Sequence, residues 1–273
     1  MTKNNKVINS FGEEWKRFDQ SKLDILELNK IFEDYFKIFP WKSIGKRSIG
    51  FDMGCGSGRW AKVVAPRVGL LNCIEPSLAI DVAKKNLNQN KNIKFIKLAI
   101  EDVNLKPASQ DFGYCLGVLH HTKNTQKNLN KCTSLLKKNA PFLVYLYYKF
   151  ENRNFTYFLI WKISDFLRRV ISRLPEIFKF FFSDLLAITI YYPLAKISFI
   201  LDKINFNLRN FPLSYYRNLS FYTMRTDSRD RFGTYLEKRY TKEQIKNMLK
   251  KAGLHNIKFS KKAPYWCVVG FKK

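Results

Sequence analysis

The densest chemistry in the chain lies in Phe51-Asp52-Met53-Gly54-Cys55-Gly56-Ser57-Gly58. Glycines at 54, 56 and 58 permit a tight backbone turn and let a ligand approach without interference from Cβ atoms. A helix N-terminus just beyond them presents free N–H groups and the positive end of the helix dipole. The spacing departs from the dinucleotide fingerprint GxGxxG, because the third glycine comes one position early and Arg59 follows it. A second acid, Glu75 in Cys73-Ile74-Glu75-Pro76-Ser77, falls 21 residues after Gly54. At that distance a carboxylate at a strand end can accept hydrogen bonds from both hydroxyls of a ribose. Further on, Leu116-Gly117-Val118-Leu119-His120-His121-Thr122 sets two histidines after another apolar run. A histidine titrating near neutrality can take a proton from a hydroxyl or an amine. Alternatively, the pair packs and hydrogen-bonds its loop without moving protons.

These residues need strands and helices to hold them. Short apolar runs at 49–53, 71–74, 93–98, 112–119 and 142–148 alternate with helical patterns at 58–65, 78–88 and 126–137. Strand and helix in regular alternation predict parallel βαβ units with right-handed crossovers. An amphipathic helix is predicted over 21–39, closed by Pro40. Thr241 as N-cap with Gln244 three residues later opens a last helix that Gly253 closes. The runs 255–259 and 265–271 then read as a β-hairpin turning at 261–264.

On FDMGCGSG, CIEPS, AIEDV and LGVLHHT, the sequence resembles the class I S-adenosylmethionine-dependent methyltransferases, over 49–150 and 238–273. The resemblance implies a Rossmann-like α/β fold with a seven-stranded, mostly parallel sheet of order 3-2-1-4-5-7-6 and an α-helical insert after strand 5. It divides the chain into an N-terminal helical segment (1–48), the cofactor-binding core (49–150), a helical cap (151–235) and the returning helix and hairpin (236–273). It also implies S-adenosylmethionine as cofactor. Asp52 and the Gly54, Cys55, Gly56 and Gly58 loop would lie by its methionine part and Glu75 and Pro76 by its ribose. Ile100, Glu101 and Asp102 would edge its adenine, although relatives carry an Asp where this chain has Ala99. Leu116 and Gly117 would complete the site, with His120 and His121 near the transferred methyl as candidate catalytic residues.

Other features bear on the substrate. Phe11 and Trp15, in FGEEWKRF, either cover the site as a lid or staple the first helix to the core; some bacterial relatives share FGxEW. Tyr148 ends the fifth run, where a substrate would lie. Arg225 and Arg231 belong to an alternating-charge stretch, RTDSRDR, read as a loop that either grips an anionic substrate or forms a solvated salt-bridge face. The aromatic stretch 151–220 admits three readings: a cap whose aromatics form its own core beside an apolar pocket, a peripheral membrane contact, or a face for a partner or second copy.

The 273 residues carry 49 Lys and Arg against 22 Asp and Glu, a net charge of +27. Residues 1–49 contribute +3, 50–150 +9, 151–220 +5 and 221–273 +10, so no segment is a basic tail. Five scattered cysteines, none in CxxC spacing, indicate neither a disulfide framework nor a metal site. The start lacks an apolar signal core. The longest uncharged apolar run in the second half, 185–195, is short of the ~20 residues that a bilayer helix needs. The expectation is a cytoplasmic, non-spanning methyltransferase acting on a small or lipid-linked metabolite at oxygen, nitrogen or carbon, without specific nucleic-acid binding. The rivals are an RNA methyltransferase, which the charge favours but the Gly-Val-Leu-His-His stretch does not, and a non-catalytic cofactor-binding or assembly subunit.

Overall fold

The computed structural model describes residues 3–273. They form two compact units, one of residues 3–21, 28–149 and 236–273, the other of residues 22–27 and 150–235.

The first unit is built on a seven-stranded sheet of order β3-β2-β1-β4-β5-β7-β6. In chain order, α1 (Lys3–Arg17) and α2 (Ile25–Phe36) precede β1 (Ile49–Met53). There follow α3 (Ala61–Val64), β2 (Leu70–Ile74), α4 (Ala79–Asn86), β3 (Ile93–Ile96), β4 (Phe112–Leu116), α5 (Thr125–Ser134) and β5 (Pro141–Tyr145). The first five strands pair in parallel, whereas β7 runs antiparallel to both β5 and β6. Strands β1, β2, β4 and β5 are buried along nearly their whole length. That is why they read as continuous apolar runs rather than as alternating ones: a parallel sheet is covered on both faces. The order expected from the resemblance is the order observed.

The second unit holds α6 (Phe155–Ile171), α7 (Glu176–Leu186), α8 (Tyr192–Lys203) and α9 (Phe221–Gly233). A π-helical turn, Ala187–Tyr191, joins α7 to α8 and absorbs Pro193 at the start of the latter. The chain then returns to the first unit with α10 (Lys242–Lys251), β6 (Leu254–Phe259) and β7 (Cys267–Lys272). The capping box at α10 is complete: Gln244 N–H donates to Thr241 Oγ1 (3.1 Å) and Thr241 N–H to Gln244 Oε1 (2.9 Å).

Three expectations change. The helix expected at 58–65 has only four α-helical residues before a 3-10 turn. A helix that short has little dipole to offer a ligand. Residues 3–17 are helical, which the aromatic motif alone did not show. Residues 225–231, read as a loop, lie inside α9. Their charges alternate because the helix meets charged and hydroxyl side chains on its neighbours.

Glycines in the sheet make room for phenylalanines. A Cβ on Gly113 would meet the Phe51 ring, and one on Gly50 the Phe112 ring. Gly113→Ala is therefore expected to lose ~1–3 kcal/mol of unfolding free energy by overpacking. Gly45→Ala, where a Cβ meets nothing within 4 Å, should change it by less than ~0.5 kcal/mol. Urea unfolding of the two variants measures the difference.

Candidate functional site

Asp52, Glu75, Gly117 and His120 all emerge at the C-terminal ends of adjacent parallel strands, where loops diverge and open sheets bind ligands. Asp52 stands opposite Cys73 of β2 and Tyr114 of β4 and is 1% exposed. Its Oδ2 is buried without a hydrogen-bond partner. Burial pushes its pKa from the usual 3.8 up to about 8; the Tyr114 phenol opposes the rise, and the charge of Glu75 adds to it. A carboxyl so placed gains most from a cation.

The loop after β1 has positive φ at Gly54 (+80°), Gly56 (+52°) and Gly58 (+82°). The N–H groups of Gly54 and Cys55 both donate to the Ile74 carbonyl (2.8 and 3.0 Å), which ties the loop to β2. At two of these glycines a side chain fills the space that a Cβ would take. A Cβ on Gly54 would strike Val118, and one on Gly58 would come 2.6 Å from Leu87. Cys55 is buried and its thiol pKa is pushed well up by its hydrogen bond with Cys73 and by desolvation. Gly56 N–H donates to Glu75 Oε2 (3.2 Å) and Ser77 N–H to Glu75 Oε1 (3.0 Å). Glu75 thus bridges two loops. Burial raises its pKa, against the lowering effect of the Ser77 and Gly56 donors. Pro76 follows it into α4. Beyond β3, Ile100, Glu101 and Asp102 form a 3-10 turn in which Ile100 is buried and the two acids are exposed. Glu101 Oε1 accepts from Asn128 Nδ2 (3.1 Å).

Leu116 ends β4, and Gly117 follows with φ +79° and nothing within 4 Å of an added Cβ. Next, His120 and His121 sit on a 3-10 turn, both buried. Burial, then the charges of His121 and Arg239, hold the His120 pKa well below its ordinary value. His120 stacks on Tyr147 at 3.8 Å. It is a neutral packing ring and a poor base. His121 differs, because its Nδ1 lies 2.7 Å from the Leu236 carbonyl. A carbonyl only accepts, so Nδ1 carries a hydrogen, and in the neutral ring the lone pair is on Nε2.

Helix α1 lies across these loops. Phe11 packs on His121 (ring centroids 5.2 Å), Gly12 faces Ser77 and Leu78, and the Trp15 indole lies over Gly56. The first and third of these contacts cover two of the loops expected to hold ligand, an arrangement that fits a lid. Tyr148 is buried, with its ring against Tyr265 and Trp266. Arg225 and Arg231 belong to the second unit. Arg225 grips Asp184 through Nε and Nη2 (2.9 and 2.6 Å), and Arg231 lies 3.8 Å from Asp165. The sequence reading did not select Tyr145, Tyr147 or Arg239. Tyr145 and Tyr147 lie 5.7 Å apart, and Arg239 sits over Tyr147 at 5.0 Å. The two-residue spacing of the tyrosines, which puts them on one side of an extended chain, was the signal available.

This strand order, with acids ending β1 and β2 beside a glycine loop, defines the Rossmann-like methyltransferase fold. Residues 51–144, about a third of the chain, match the family described as methyltransferase domain. Among curated relatives, the ubiquinone biosynthesis O-methyltransferase of Coxiella burnetii is 28% identical over 110 residues, 40% of this chain and 45% of that protein. CRG1 of Saccharomyces cerevisiae, named a probable S-adenosylmethionine-dependent methyltransferase, is 30% identical over 108 residues, 38% of this chain and 37% of that protein. The matches thus span less than half the length of these relatives. A solved S-adenosylmethionine-dependent methyltransferase of Thermotoga maritima aligns at TM-score 0.51 and 13% identity, over 96% of this chain and all of that one; this likeness bears on the fold.

Asp52 generates a pH prediction. The folded protein keeps its proton up to about pH 8, whereas an unfolded chain releases it near 3.8. Between those values the folded state binds the extra proton, so this group's contribution to stability falls as pH rises. Asp52→Asn should flatten that slope and raise the Tm near neutral pH by ~2–4 °C for each kcal/mol recovered. Thermal melts of both proteins across the window check it.

Proposed function

We propose that this chain transfers a methyl group from S-adenosylmethionine to an oxygen of a small or lipid-linked metabolite, at the C-terminal ends of β4 and β5. The observation that carries the reading is the pair of buried acids, Asp52 and Glu75, on adjacent strand tips around a loop of three positive-φ glycines. The likeness to proteins named as ubiquinone biosynthesis O-methyltransferases supports an oxygen acceptor.

The residues present fit the cofactor. Asp52, unpaired at Oδ2 and pushed up to about 8, offers a site for the cationic methionine end. Glu75 keeps acceptor capacity for ribose hydroxyls while its two backbone donors hold it still. Ile100 supplies an apolar edge for adenine. When bound, the cofactor supplies an electrophilic methyl on a sulfonium.

The protein's own part is to position, enclose and accept a proton. Phe11, His120 and Tyr147 surround His121 with ring surface, and Tyr145 lies against His120 and Tyr147. Such a wall excludes water, and aromatic faces favour a nearby cation. Holding the acceptor in line supplies most of the acceleration. His121, held in the Nδ1–H tautomer by Leu236, takes the hydroxyl proton at Nε2 as the oxygen attacks.

Calorimetry with S-adenosylmethionine and with its demethylated product tests the first half of the reading. Both should bind, and Glu75→Ala and Asp52→Asn should each weaken binding at least ~10-fold, about the 1.4 kcal/mol cost of a lost charged hydrogen bond. Absence of binding by the native chain refutes the proposal. Incubation of cell extract with labelled cofactor, then separation of lipid, small-molecule, RNA and protein pools, tests the second half. Label should enter the lipid or small-molecule pool. With the acceptor in hand, His121→Ala should lower kcat by ~10²-fold or more, with cofactor affinity nearly unchanged.

A further inference from the structure

The second unit has a small apolar core of Ile171, Tyr191, Ala195, Met224 and Phe232, yet leaves many large apolar side chains outside it. On α6 the buried positions are Asp165, Arg168 and Ile171, while Phe155 (76% exposed), Ile163 and Phe166 (67%) face out. On α7 the buried positions are Lys179 and Ser183, while Ile177 (74%) and Phe181 face out. On α8 they are Ala195 and Ser198, with Ile200 exposed. Of the aromatics expected to form a core inside this unit, Tyr191 does so and Phe182 packs against it, whereas Phe155, Phe178, Phe181 and Tyr192 are exposed.

The polar flanks are engaged by α9. Arg229, fully buried, pairs with Glu176; Arg225 pairs with Asp184; Ser228 Oγ donates to the Ser183 carbonyl (2.8 Å). Among the described residues, the outward apolar flanks have no such cover. Patches of this extent on a folded protein mark an interaction surface.

We propose that this face, formed by α6, α7 and α8, lies in the interface of an anionic phospholipid bilayer. Charge selects that partner. The unit carries 14 Lys and Arg against 9 Asp and Glu. Three of its lysines run along aromatic rings one helical turn back: Lys162 over Phe158 (4.9 Å), Lys196 over Tyr192 (5.3 Å) and Lys203 over Phe199 (4.7 Å). Each stem follows the apolar face and delivers its ammonium to the rim, the snorkelling geometry suited to lipid headgroups. A second copy would bring the same ammonium groups together.

The surface lies in the interface rather than through it. The continuous helix Glu176–Lys203 has 28 residues, long and apolar enough to cross a bilayer. The 11-residue uncharged run seen in the sequence understates it, because Lys179 and Asp184 turn to the polar flank. That flank is bound to α9, where Arg225, Asp227, Arg229, Asp230 and Arg231 lie within two turns. Crossing would draw these charges into hydrocarbon. Lying in the plane leaves them on the aqueous side.

Flotation of the full chain with vesicles tests this without cofactor, so it is independent of the methyl-transfer reading. The chain should float with vesicles of phosphatidylcholine containing about one-third phosphatidylglycerol, and at least ~10-fold less with phosphatidylcholine alone. Raising salt from about 0.1 to about 1 M, which shortens the screening length from ~10 to ~3 Å, should weaken binding without abolishing it. Phe166→Asp and Phe181→Asp, at exposed positions, should each reduce binding at least ~10-fold with an unchanged circular-dichroism melt. Should either fail to fold, quenching of Trp161 by brominated lipid in the native chain replaces it; Trp161 is the one tryptophan of this unit. Alkaline carbonate should release the protein. The proposal is overturned by absence of flotation with the anionic vesicles, by complete release in salt, by native-like binding of the folded variants, by absence of Trp161 quenching, or by retention in carbonate, which indicates a spanning helix. It is also overturned by a lipid-indifferent dimer that the same substitutions dissociate.

Discussion

Asp52, one residue before the end of β1, lies almost wholly out of water with no cation beside it, and the rest of the site depends on that placement. The enclosure comes from topology. With β2 on one side and β4 on the other, β1 is covered at both edges and both faces, so a side chain at its last turn has nowhere to hydrate. The strand order reverses at this point, since β1 leads outward through β2 to β3 and the chain then returns to β4. Loops leaving β1 and β4 therefore diverge, and a crevice forms at their roots. Glu75 closes one side of it by holding the N–H groups of Gly56 and Ser77. His120, Tyr147 and Tyr145 wall the other with rings. An enclosure that disfavours a lone carboxylate favours the same carboxylate with a cation, so the feature that costs stability in the empty fold is the one suited to bind.

The strands were legible because a doubly covered parallel sheet writes itself as unbroken apolar runs, and 49–53 matches β1 residue for residue. Thr241 and Gln244 were legible as a capping box because the contacts are local. The acids at 52 and 75 stood out by type and spacing. What the glycines do was less legible. Gly54 and Gly58 look like ligand-facing residues in sequence, yet Val118 and Leu87 occupy the space beside them. Those neighbours come from distant parts of the chain. The two histidines likewise separate only in three dimensions, where Tyr147 and Arg239 press on one and the Leu236 carbonyl orients the other.

In the second unit a different limit on legibility applies. Amphipathic periodicity locates two faces of a helix but does not say which one is inside. In α6 and α7 the stripe of charge and hydroxyl is the inner one. The alternating charges of α9, which resemble an exposed loop, are the material that this inner stripe binds. Partly exposed ion pairs contribute little net stability, but they restrict which surfaces can meet. Arg225 has Asp184 and Arg229 has Glu176. Sliding α9 by a turn would break both pairs and leave a fully buried guanidinium unmatched. These pairs thus fix the register of the bundle beside its small apolar core, which frees the outward apolar flanks from that task.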